Sequence, residues 1–307
     1  MPKRLNQIPF SLLDPVEIRE ADEGISDAIH RKGRLVQLAG SLGYRRYWFM
    51  HHSPLADQGA TASVMLGHLA AVSSEISIGT DLLVRSAANA RAVIKPYALL
   101  DALHPGRMEG ILTGNAASWL TEWNDVQRSA TFQYWMLGTE TEHAEQAGKA
   151  GLPFAFASHF APAHLMDALE KYRSSFRPSV FLLKPYTLAS VHAIVAASDE
   201  EAEHLASSLY MMVLNLLRKE SKPLPAPVQL LNMVASEQEW SSVRRMLWYS
   251  FFGEINSVRH SLQAFLDQTE VDELMICSSV FDERKQTASL RAIADLFRQF
   301  QSVNDGC

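Results

Sequence analysis

Short apolar runs of strand type alternate with stretches of helical period along the chain, and no other feature narrows the possible folds so far. FSLLD (10–14), RYWFM (46–50), ISIGTDLLV (76–84), RMEGILTG (107–114), YWMLG (134–138), PFAFAS (153–158), YTLASVHAIVAA (186–197) and DELMICSSV (272–280) are nearly continuous in apolar residues. Strands buried on both faces read this way. Between them the spacing predicts helices up to Gly43 and over 60–74, 92–103, 140–150, 161–176, 199–218, 255–268 and 283–300. Leu35, Leu38, Ala39 and Leu42 mark one face of the first, and Gly43 suits its C-terminal cap. About eight strands alternating with helices predict one α/β (β/α)8 TIM barrel, filling residues 1–307 as a single domain. The competing fold is a doubly wound open sheet, but no GxGxxG or GxxxxGKS-type loop follows a strand.

Residues 220–254 interrupt the alternation. ESKPLPAPV is punctuated by proline and WSSVRRMLWYSFFG is rich in aromatics, with no strand partner expected nearby. The stretch reads as an excursion before the last strand, where a barrel carries a lid or a substrate-shaping insert. The cluster at 248–252 reads as core or interface.

A net charge of −6, with basic residues in pairs such as Arg45-Arg46 and Arg244-Arg245, argues against nucleic acid. No segment has the apolar length to span a bilayer, so the expectation is a cytoplasmic protein with no membrane contact. The two cysteines, Cys277 and Cys307, form no CxxC or Cys/His cluster, so no metal site is expected, and Cys277 reads as a buried filler.

In such a barrel, chemistry sits where strands end and the following loops begin. The adjacent histidines of WFMHHSPL, His51 and His52, fall at one such end. So do Thr80 with Asp81, Thr113 to Asn115, Thr139 with Glu140, Ser158 with His159, and Ser278 with Ser279.

GRLVQLAGSLGYRRYWFMHH, ALLDALHPGR (98–107), GLPFAFASHFAP (151–162), ALEKYRSSFRPS (168–179) and DELMI (272–276) together resemble the bacterial-luciferase-like flavin monooxygenases, over nearly the whole chain. The resemblance implies a TIM barrel, often a homodimer through helices of its first half. It also implies reduced FMN, supplied by a separate flavin reductase, and oxygen acting on a small organic molecule such as a secondary metabolite. The family's Glu-His-His appears as Met50-His51-His52, which implies His51 as catalytic acid or base with His52 beside it. Gly79, Thr80 and Asp81 would lie against the flavin ring. Thr113, Asn115, Gly138, Thr139 and Thr141 would hold its tail, and Asp14 and His159 would line the substrate side.

The chain departs from the family at several of these points. Gly114 replaces the arginine that faces the flavin phosphate, and Glu140 puts an acid at the helix N-terminus where the phosphate would dock. Asp81 is charged where a small residue is usual, Ala88 replaces a loop histidine, and Pro96 falls inside an expected helix. The segment 115–133 is shorter than its family counterpart, with Trp119 and Trp123 at i,i+4 spacing as a substitute apolar patch. These departures keep a second reading open: a degenerate relative that binds flavin weakly or not at all, serving as a non-catalytic subunit, a ligand-binding protein or a flavin-independent enzyme. A deazaflavin cofactor is a third.

Overall fold

A computed structural model describes residues 3–15, 18–19, 23–50, 60–82, 87–113, 132–229 and 234–298, with backbone alone at 60, 61 and 87–94. The strands are β1 (Phe10–Asp14), β2 (Arg46–Phe49), β3 (Ser77–Leu82), β4 (Met108–Thr113), β5 (Gln133–Gly138), β6 (Phe154–Phe156), β7 (Thr187–Val195), β8 (Ser250–Gly253) and β9 (Glu273–Cys277). The helices are α1 (Ile25–Ser41), α2 (Ala60–Val72), α3 (Ala87–Leu103), α4 (Thr141–Ala150), α5 (Leu165–Ser175), α6 (Asp199–Leu217), α7 (Glu237–Met246), α8 (Ile255–Thr269) and α9 (Glu283–Arg298).

β1 to β7 pair in sequence order, β7 pairs β9, and β9 returns to β1, every pairing parallel. The expected eight-stranded TIM barrel is therefore closed. The short link after β4 does not open it, because Glu109–Thr113 run in register with Gln133–Leu137. Trp119 and Trp123 lie outside the described residues.

Period-2 alternation sorts the strand side chains into two shells. Leu13, Trp48, Ile111, Trp135, Ala155, Leu188, Met275 and Cys277 fill the axis, with Met50, Leu137 and Tyr186 packed on them. Their neighbours along each strand, among them Leu12, Tyr47, Ile78, Leu112, Phe154 and Ile276, meet the helices in the larger outer core. Cys277 is the buried filler expected, and burial pushes its thiol pKa well up. The outer core is what turns apolar helix faces into stable helices, since helices of this length are marginal alone. α1 buries Ala28, Leu35, Val36 and Ala39, and the chain leaves it through Gly43 at φ +84°. Pro96 lies within α3 without ending it.

The excursion differs from expectation in one respect. Ser250–Gly253 form β8, which pairs with His192–Val195 of β7 beyond the barrel ring, so the stretch does have a strand partner. Tyr249 and Phe251 pack on Phe265 of α8, Phe252 on Tyr210 of α6, and Trp248 stays exposed. α7 joins α6 in a satellite core of Leu209, Val213, Leu214, Val243 and Leu247. Farther up the excursion, the Leu224 amide donates to the carbonyl of Ile18, in the loop after β1. That loop lies at the C-terminal end of the barrel, so the excursion is tied to the mouth.

Candidate active site

The barrel's N-terminal end is closed by charge. Arg46 Nε lies 3.2 Å from Glu273 and its Nη1 3.5 Å from Glu109, with the guanidinium 4.6 Å from the Trp135 ring centroid. Trp48 Nε1 donates to Glu109 at 2.7 Å, while Tyr186 (2.8 Å) and Ser11 donate to Glu273. One cation thus faces two buried carboxylates. Burial raises the Glu109 pKa, and Arg46 and the Trp48 bond only partly offset it while Glu273 adds to it. A cleft at this same end is lined by Lys3, Arg173, Pro185, Glu270 and Asp272, and Lys3 and Arg173 there donate to backbone carbonyls of 269–271. These groups hold the scaffold, and the chemistry belongs at the other end.

At the mouth, strand register decides which candidates face the axis. Gly79 pairs with Trp48 and Glu109, and a Cβ there would lie 2.6 Å from the Trp48 indole, so glycine makes room for that ring. Asp81 pairs with the axial Ile111 and is buried one layer nearer the mouth. Thr80 falls on the outer face with Phe49 and Gly110, and its hydroxyl donates to Asp81 at 3.3 Å. Thr80 is therefore a support for Asp81, not an axial group. Thr113 is exposed at the end of β4. His51, His52, Gly114 and Asn115 lie outside the described residues.

Asp14 also differs from its expected place. Its carboxylate takes Lys32 Nζ at 2.7 Å and the Tyr47 hydroxyl at 2.6 Å, and both partners lie in the layer between strands and α1. Burial favours protonation, but the charges of Lys32 and Arg31 and the bonds from Lys32 and Tyr47 outweigh it and hold the Asp14 pKa below its usual value. Asp14 anchors α1 to the barrel, not the substrate side.

After β5, Gly138 lets α4 sit directly on the strand end, since a Cβ there would collide with His143. Thr139 and Thr141 are half-buried beside it. Glu140 is the N-cap residue of α4 but accepts no hydrogen bond from the helix amides. Its exposed carboxylate turns to His164 Nε2, 3.9 Å away. The first-turn amides therefore receive no side-chain cap, and His143 Nδ1 in the same turn is buried without a partner. Uncapped amides at a positive helix end beside an unsatisfied ring nitrogen suit an anionic oxygen ligand. The expected repulsion from Glu140 is reduced by where its side chain points.

His159 follows β6, half-buried, with Nδ1 2.6 Å from Ser190 Oγ. Its ring meets that of His192 edge-on, centroids 5.4 Å apart. Ser190 and His192 are buried on β7, two and four residues after the axial Leu188, and sequence reasoning passed over both. The signal was present: counting by two along YTLASVHAIVAA puts Leu188, Ser190 and His192 on one face. Ser279, beyond the end of β9, is buried with its hydroxyl unpartnered. Among the described residues no group of three metal-ligating side chains comes together, and no helix is long and apolar enough to cross a membrane.

Comparisons with known proteins agree with this architecture. The family model for luciferase-like monooxygenase matches residues 8–121. A luciferase-like monooxygenase of Escherichia coli K12 is 31% identical over 325 aligned positions, covering 94% of this chain and 97% of that protein. Among solved structures, apo-MsnO8 superposes with a TM-score of 0.80 at 20% identity, covering 96% of this chain and 99% of that one. The oxygenating constituent of 3,6-diketocamphane monooxygenase from a Pseudomonas putida plasmid, solved with FMN, gives a TM-score of 0.67 at 10% identity, covering 95% and 99%. These two structural likenesses speak for the fold.

Proposed function

Because the chain belongs to the luciferase-like monooxygenase family, we propose that it is an FMN-dependent monooxygenase that oxygenates a small organic molecule in the cytoplasm, with a separate reductase supplying the reduced flavin. The observation that carries this reading on the chain itself is the N-terminus of α4. Its uncapped amides and the unpartnered His143 Nδ1 offer an anion site next to Thr139 and Thr141, where the flavin tail would be held. Bound reduced flavin supplies the electrons that activate oxygen. The protein's part is to exclude water and to place the substrate. His51 is the proposed acid or base, with His52 beside it, and Asp81 lies under the ring, whereas Gly79 packs on the Trp48 indole one layer below.

Anaerobic titration of the purified chain with reduced FMN, and aerobic titration with the oxidised form, tests the proposal. Binding of the reduced form at micromolar concentration or tighter, about 8 kcal/mol, supports it and means that other groups replace the lost arginine, the α4 amides being the candidates. If neither form saturates, the flavin reading fails and the degenerate reading takes its place. Given flavin binding, His51→Ala is expected to abolish reductase-coupled product formation while leaving FMN affinity within a few-fold. We further infer a homodimer through the outer faces of α2 and α3.

A further inference from the structure

The loop after β1 carries a buried cation that its surroundings only partly satisfy. Arg19 is 8% exposed. Its backbone bridges to Leu224 of the excursion, while its side chain reaches the turn after β9, where Nη2 donates to the carbonyl of Val280 at 3.0 Å and to Gln286 Oε1 at 2.8 Å. Both bonds come from that one nitrogen, and Nε is buried with no acceptor. A guanidinium offers only N–H donors and keeps its charge at neutral pH, so the missing partner has to be an acceptor. One residue before Val280, Ser279 is 1% exposed and its hydroxyl is also unpartnered. Burial first, and then the charge of Arg31, push the Arg19 pKa down to about 10, and Asp14, Glu23 and Glu283 only partly offset them.

We propose that Arg19 and Ser279 form an anion site on the substrate side of the barrel mouth, and that the molecule oxygenated there carries a carboxylate or a similar acid group. The inference rests on the monooxygenase reading of this barrel and names the class of its substrate. Ring order separates this acid from the flavin's. With eight strands in the ring, β1 and β9 stand opposite β5 and β4, so the site lies across the mouth from the N-terminus of α4, where the flavin phosphate would dock. Its cover is the proline-punctuated stretch 220–228. Leu224 is buried beside Arg19 with its amide bonded to the Ile18 carbonyl, and the Val228 amide donates to Ser207 Oγ of α6. Nε and the Ser279 hydroxyl are enclosed, so an anion enters as this stretch lifts and holds it down once bound. An acid there answers a buried charge as well as accepting from Nε, whereas a neutral amide of the same shape only accepts.

The full-length chain tests this without flavin. Benzoate and hexanoate, each beside its neutral amide, are titrated into the protein by calorimetry, and hydrogen exchange of peptides spanning 220–228 is followed with and without each ligand. The expected result is saturable binding of an acid but not of its amide, with slower exchange in 220–228. Arg19→Gln is expected to weaken that binding at least about ten-fold and Ser279→Ala a few-fold. Ser279→Ala leaves the bonds from Arg19 to Val280 and Gln286 in place, so it reads the site even where Arg19→Gln fails to fold. Binding of neither acid, equal binding of acid and amide, or acid binding unchanged in Ser279→Ala overturns the site. Displacement of the acid by FMN but not by riboflavin gives the site to the flavin phosphate and overturns the substrate assignment. A chain that binds the acid at Arg19 but neither form of FMN keeps the anion site and loses the monooxygenase reading. One that binds reduced FMN but neither acid does the reverse.

Discussion

Asp14 and Glu109 are both buried carboxylates, and their surroundings shift them in opposite directions. The folded-state pKa of Asp14 is lowered, so its stabilising contribution is present above the unfolded value, about 4, and is lost as pH falls through the folded value. Glu109 is raised, so its contribution is complete below its unfolded value, about 4.3, and is lost as pH climbs through the folded one. Urea unfolding at several pH values separates the two. The destabilisation of Asp14→Asn is expected to shrink in acid, whereas Glu109→Gln is expected to move toward stabilising as pH rises, because glutamine still accepts from Trp48 without the buried charge. A pH-independent difference for either variant would contradict the assignment. Removing the cation instead leaves a charge unpaired: the side chains of Lys32 and Asp14 are 8% and 0% exposed, and Lys32→Met is expected to cost about 3–5 kcal/mol in the same assay.

Individual elements differ in how they are held. α4 meets the end of β5 only because residue 138 has no Cβ, so Gly138→Ala forces the first turn of α4 off the strand. The variant is expected to lose about 1–3 kcal/mol of stability and to bind reduced FMN at least about ten-fold more weakly, which calorimetry and the flavin titration would read. α7 rests on α6 through a small core of its own, so Val243→Ala is expected to raise amide exchange in α7 and leave the barrel strands protected. The barrel strands were legible in the sequence because burial on both faces makes each a continuous apolar run. β8 was not, since it is four residues long, half-exposed over its first three, and pairs with β7 beyond the ring. The strand ends that build the site were legible once the topology was. Its polar interior was not, nor were the charges at the opposite end: Ser190 and His192 at the mouth and Glu109 below each sit singly within an apolar run, Arg46 and Glu273 each follow a second charge at the start of one, and only the closed ring brings each group together.

The barrel buries its axis and its helix layer, but it does not bury all the apolar surface of its first half. α2, ATASVMLGHLAAV, carries apolar residues round its circumference. Leu66, Leu69 and Ala70 are buried against the strands while Val64 stays 72% exposed. On α3, which packs beside it, Leu99 and Leu103 stand one turn apart on one face and are each 65% exposed. A helix that is apolar all round belongs inside something, and paired helices with a shared apolar strip mark an association surface. A second copy of the chain laid against this strip would cover all three side chains by two-fold symmetry. Sedimentation of the purified protein is therefore expected to give twice the chain mass. Leu99→Glu combined with Leu103→Glu is expected to give the single-chain mass with an unchanged fold by circular dichroism, because neither side chain is needed in the core of one protomer. A wild-type chain that sediments as a monomer at micromolar concentration would rule the dimer out, and a double variant that remains dimeric would move the interface away from α3.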